Sequence, residues 1–136
     1  MTLLAAHLND AGLLFSDGDR ILCREPGYVL LRDDGLVTGQ EAWESASLEP
    51  RRIQNRYWAN LSTEALPDRR FQHLTAADLA SEQLAVLWQR VAKPGDRLAL
   101  AVPPFMNKDA LGLLLGIAME LEIPVVGMVD AAVAAT

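Results

Sequence analysis

His7, Asp10 and Asp130 are the side chains of this sequence whose type and setting could support proton transfer or the positioning of water. His7 and Asp10 belong to the stretch His7-Leu8-Asn9-Asp10-Ala11-Gly12. There an apolar run breaks into Asn, Asp and Gly, the residues that favour a turn. An imidazole at that point is a general base only if something orients it, and no partner is visible in the sequence; a satisfied strand-end histidine accounts better for His7. Asp10 has two readings, an ordinary turn residue or a carboxylate at a site. Asp130 follows a second apolar run and precedes Ala131-Ala132-Val133-Ala134-Ala135. It has the chemistry to cap a helix that starts in the alanines.

Other nucleophile classes are poorly represented. The one cysteine, Cys23, lies in the apolar run Ile21-Leu22-Cys23 and reads as a small buried residue. Its being single excludes an internal disulfide and a cysteine-rich metal site. No Gly-x-Ser-x-Gly elbow and no Cys/His pair is present, and Ser16, Ser45, Ser47, Ser62 and Ser81 sit in turn or helix contexts. His73 falls in an irregular stretch and carries no argument.

These residues need elements to hold them. Residues 2–8, 13–15, 20–23, 28–32 and 36–38 read as short strands separated by turn signals, among them Ser16-Asp17-Gly18-Asp19, Pro26-Gly27 and Asp33-Asp34-Gly35. The expected result is a run of antiparallel strands. Residues 39–46 suit a short helix. From 47 to 74 the pattern is least regular, with Pro50, Pro67, Arg51-Arg52 and Arg69-Arg70. Tyr57, Trp58 and Phe71 are expected to pin this surface excursion to the body.

Thr75 opens the clearest helix, with a hydroxyl that can cap and Asp78 favouring the positive helix end. Leu79, Leu84, Leu87, Trp88 and Val91 share one face of it and predict packing on a sheet. Lys93-Pro94-Gly95-Asp96 stops it. Residues 98–102 read as a strand covered on both faces, residues 108–122 as a helix capped by Asn107, and residues 123–129 as a central strand. Gly112 and Gly116 give that helix a flat strip, whose usual meaning is close approach to a neighbouring element.

The chain has 136 residues, 51% of them hydrophobic, enough for one domain with a buried core. Its 12 basic and 18 acidic side chains give a net charge of −6, which argues against a phosphate-tracking surface and hence against nucleic acid as partner. The start lacks the basic residues and apolar core of a signal peptide, and the apolar stretch 110–119 is too short to span a bilayer. A cytoplasmic protein with no membrane partner is expected.

The last third carries a resemblance. Ala101-Val102-Pro103 looks like a Val-Pro strand end, Pro104-Phe105-Met106-Asn107 resembles an aromatic-Asn turn before a helix, and Val129-Asp130-Ala131-Ala132-Val133-Ala134-Ala135 is similar to a Glu-Pro-x-Ala-Ala-Ala segment. Pro26-Gly27-Tyr28-Val29 and Val37-Thr38-Gly39-Gln40-Glu41-Ala42 add a weaker match. In that order these pieces resemble the actin-like ATPase superfamily of actin, bacterial cell-shape proteins and heat-shock chaperones, especially its chaperone branch.

The resemblance implies an α/β fold: the N-terminal lobe of the ribonuclease H-like architecture, a mixed sheet with antiparallel N-terminal strands and flanking helices. It also implies a first hairpin offering backbone N–H groups to phosphate and an aspartate to hydrated Mg²⁺. That hairpin maps to Asn9, Asp10, Ala11 and Gly12 as cofactor-binding residues, and the residue orienting the attacking water maps to Asp130. His7 stands in place of the aspartate and Asn9 in place of the first glycine, so the phosphate site is expected to be degenerate. No second lobe is present, so the chain is expected to be part of a longer protein. ATP and Mg²⁺ are then cofactors of that parent, with none binding tightly to this chain. The alternative implied is a protein-binding or self-assembly module, a homo-oligomer among its forms, that keeps the fold without catalysis.

Overall fold

Every second residue of the first strand is buried. Leu4, Ala6 and Leu8 of β1 (Leu3–Asn9) turn to the core, while His7 on the other face is half-buried. The structure is a computed structural model that describes residues 3–9, 12–33, 35–66, 69–103 and 106–130. The chain continues through β2 (Gly12–Ser16), β3 (Ile21–Pro26), β4 (Val29–Arg32), β5 (Gly35–Thr38) and the short helix α1 (Gln40–Ser45). A 3-10 turn at Pro50–Arg52 leads into β6 (Ile53–Gln54), and a second follows at Arg69–Phe71. Then come α2 (Ala76–Val91), β7 (Arg97–Val102), α3 (Lys108–Glu120) and β8 (Val125–Asp130).

Two sheets result. The larger has five strands in the order β3-β2-β1-β7-β8, antiparallel from β3 to β1 and parallel from β1 to β8. The smaller has three strands in the order β5-β4-β6, all antiparallel. The expected run of antiparallel strands is therefore split between two sheets at Pro26-Gly27. The mixed α/β architecture itself stands as read.

The core lies between one face of the large sheet and the two long helices. Phe15, Leu98 and Leu100 from the strands meet Leu79, Leu84, Leu87, Leu114 and Ile117 from α2 and α3. Helix α2 begins in a capping box: Thr75 Oγ1 accepts from Asp78 N–H at 3.2 Å, and Asp78 Oδ2 accepts from Thr75 N–H at 2.9 Å. Asn107 Oδ1 caps α3 by accepting from Ala110 N–H at 2.9 Å. Tyr57, Trp58 and Phe71 are buried, so the irregular stretch is pinned to the body as expected.

Two expectations are overturned. The strand read as central, residues 123–129, is β8, an edge of the five-stranded sheet among the described residues. Ile123 enters the core just ahead of β8, while Val126 within it is 51% exposed. Gly112 and Gly116 make no close approach either, since a Cβ at each would meet nothing within 4 Å. They face the shallow groove between α2 and α3.

Candidate active site

Strand register brings the candidate residues to one edge of the large sheet. Asn9 pairs with Gly12, and Gly12 with Pro26, so the ends of β1, β2 and β3 stand in a row. Across the parallel half, His7 pairs with Ala101 and Val102 with Asp130, so β1, β7 and β8 finish at that same edge. Asp130 lies two strands from β1, a backbone separation of ~10 Å from the usual strand spacing. The fold thus collects the hairpin and Asp130 at one place. Asp10 and Ala11 lie outside the described residues, and of Asp130 only the backbone is described.

The turn is closed by a side chain. Asn9 Oδ1 accepts the backbone N–H of Gly12 at 2.9 Å. Gly12 has φ +151°, and a Cβ there would collide with the Glu25 carbonyl oxygen and the backbone of Pro26 and Gly27. Its glycine is required by the close approach of β3, not by the turn alone. The His7 imidazole makes no hydrogen bond or ion pair among the described residues, so no group there orients it as a general base.

Beneath the row sits a polar cluster that the sequence did not reveal. Gln83 is fully buried. Its Oε1 accepts from Tyr57 Oη at 2.7 Å and from Trp58 Nε1 at 2.9 Å, while its Nε2 donates to the Pro26 carbonyl at 2.8 Å. The indole reaches the hairpin: a Cβ at Gly27 would stand 3.1 Å from Trp58 Cδ1 and 3.4 Å from Gly12 Cα. The one available signal was a glutamine four residues from both Leu79 and Leu87, on the apolar stripe of α2.

Glu25 organises the flank. Buried on β3, its carboxylate takes an ion pair from Arg90 of α2 and accepts the Gln40 N–H at 2.7 Å. A Cβ on Gly39 would press into that carboxylate, and Gly39 has φ +70°, so glycine is doubly required there. Burial, and secondarily the Glu25 charge, push the Tyr57 phenol far above its ordinary value. Burial also pushes the half-buried Cys23 thiol up, the reverse of an activated nucleophile. Among the described residues, no group of three or more His, Cys, Asp or Glu is placed to hold a metal ion, and no helix is long and apolar enough to cross a membrane.

No model of a known protein family matches the sequence, and comparison with curated proteins finds no match. The fold, however, matches solved structures. MreB5 of Spiroplasma citri bound to ADP superposes with a TM-score of 0.68 at 16% identity, covering 94% of this chain and 37% of that protein. A non-polymerising mutant of MamK bound to AMPPNP gives a TM-score of 0.63 at 18% identity, covering 93% of this chain and 40% of that protein. At such identities the likeness is one of fold, and the chain spans well under half the length of either relative. On that likeness and the sheet order above, the chain has an actin-like ATPase fold.

Proposed function

We propose that the chain is the N-terminal lobe of an actin-like or heat-shock-chaperone-like ATPase homologue with a degenerate phosphate hairpin, and that it hydrolyses ATP poorly or not at all by itself. One observation carries this reading: the Gly12 N–H is taken by Asn9 Oδ1 at 2.9 Å. A turn that cradles phosphate leaves its amides free for the anion. Here one is spent internally, and the Asn9 side chain occupies the turn where glycine would leave room. His7 adds an imidazole where hydrated Mg²⁺ favours a carboxylate oxygen.

The fold likeness supports assigning nucleotide and Mg²⁺ to a longer parent whose other part closes the cleft. In that parent Asp130, at the shared sheet edge, is the residue to orient an attacking water. Titration calorimetry with Mg-ATP, on this chain and on a longer version, tests the reading. Absence of saturable binding by the chain is expected; tight, Mg-dependent binding overturns it.

A second reading has its own support. Leu115 and Met119, one turn apart on α3, are 39% and 79% exposed, and Gly112 and Gly116 leave the same helix open. That surface suits a protein-binding or self-assembly module. Sedimentation at several concentrations tests it, and a strict monomer at high concentration removes it.

A further inference from the structure

A recess opens beside the hairpin and includes Asn9 and Gly12 in its walls. It is a cleft of about 460 Å³ between β2, β3 and α1, whose walls include Leu13, Leu14, Arg24, Pro26, Gln40 and Trp43. That volume falls in the range of about 300–1,000 Å³ occupied by small-ligand sites, which combine apolar walls with a few polar groups. We propose that this cleft binds a planar aromatic monoanion, an aromatic carboxylic acid by class, stacked on Trp43 and paired with Arg24.

The charges in the cleft support an anion. Arg24 is exposed and its guanidinium has no hydrogen bond or ion pair among the described residues. The other charged wall residue, Glu25, is already neutralised by Arg90 and capped by the Gln40 N–H. A lone guanidinium offers a carboxylate two parallel N–H donors.

Trp43 supplies the planar surface. It is 52% exposed on a helix whose start is fixed by the Trp43 N–H bond to the Gly39 carbonyl at 3.0 Å. An indole held at the mouth of an apolar cleft suits an aromatic ring. Arg24 is the one cation among the residues lining the cleft, which suits a single negative group rather than a polyphosphate. The ligand class therefore differs from that of the nucleotide reading, and the two stand or fall separately.

The test uses 2-naphthoate as probe and ¹⁵N-labelled protein. The chain has three tryptophans and so three indole N–H signals. Saturable one-to-one binding should shift the Trp43 indole, be insensitive to Mg-ATP, and be lost for the neutral isostere 2-naphthalenemethanol. Arg24→Gln and Trp43→Leu should each weaken binding by roughly tenfold or more, the scale of one lost charge-assisted contact. Arg24→Gln, at an exposed strand position, carries the test if Trp43→Leu disturbs the fold. No saturable binding by about 5 mM, an affinity too weak to count as a site, overturns the proposal. So does binding indifferent to both substitutions, equal binding of the alcohol, or displacement by Mg-ATP.

Discussion

Trp58 Nε1 donates to Gln83 Oε1 at 2.9 Å, and that bond ties the least regular stretch of the chain to its most regular helix. Because Gln83 also binds Tyr57 and the Pro26 carbonyl, one side chain fixes the excursion, α2 and the end of β3 together. The hairpin rests on this cluster through Gly27 and the Trp58 indole.

Gln83→Leu should therefore be among the most damaging single changes. It keeps the volume but orphans a buried phenol, an indole N–H and a carbonyl. At about 1–3 kcal/mol for each buried unsatisfied group, a loss of at least 3 kcal/mol is expected, a large share of a domain's stability. Urea unfolding measures it; a loss under 1 kcal/mol would show that the cluster is not held as described.

Tyr57 predicts a pH dependence. Its folded-state value is raised above the ordinary 10.0, because burial disfavours the phenolate. A raised value means the contribution is complete below pH 10 and is lost as pH climbs above it. Thermal melts from pH 8 to 12 should show the wild type losing stability against Tyr57→Phe, which has no proton to release. Parallel curves for the two proteins would remove Tyr57 as the source.

At the hairpin, Asn9→Ala should cost about 1 kcal/mol, the worth of one hydrogen bond. Gly12→Ala should cost more than about 2 kcal/mol, because the left-handed backbone and the β3 contact both oppose a Cβ. Denaturant midpoints rank the pair, and the reverse order would show that the turn, not the β3 contact, dictates the glycine.

Glu122 is the one described non-glycine residue at positive φ, +58°. It ends α3 in a Schellman arrangement: Ile123 N–H reaches the Ala118 carbonyl at 2.9 Å and Glu122 N–H the Met119 carbonyl at 3.1 Å. Glu122→Gly should stabilise the chain by about 0.5–1 kcal/mol, the relief of left-handed strain less the added freedom of the unfolded glycine. A lower melting temperature would contradict that balance.

Local devices were open to reading from sequence. The caps at Thr75 and Asn107 act within three residues, and so does the β2–β3 turn, where Asp17 Oδ1 accepts the N–H groups of Asp19 and Arg20 at 3.0 Å each. Those N–H bonds, Arg20 first, hold the Asp17 carboxyl below its usual range. The apolar strands and the buried face of α2 followed from periodicity for the same reason: neighbours along the chain determine them.

Tertiary structure decided the rest. The Pro26-Gly27 break gave no sign that it divides two sheets, and residues 123–129 looked central because apolar content does not distinguish an edge from an interior strand. Gln83 meets Pro26 across 57 residues and Arg90 meets Glu25 across 65, separations that no spacing rule encodes. By itself the sequence determined the elements, their caps and the turn at Asn9–Gly12. Only the folded chain pressed the backbone of Glu25, Pro26 and Gly27 against Gly12 and brought Asp130's strand to the same edge. Those outcomes depend on strand register and close approach, which arise when distant segments pack.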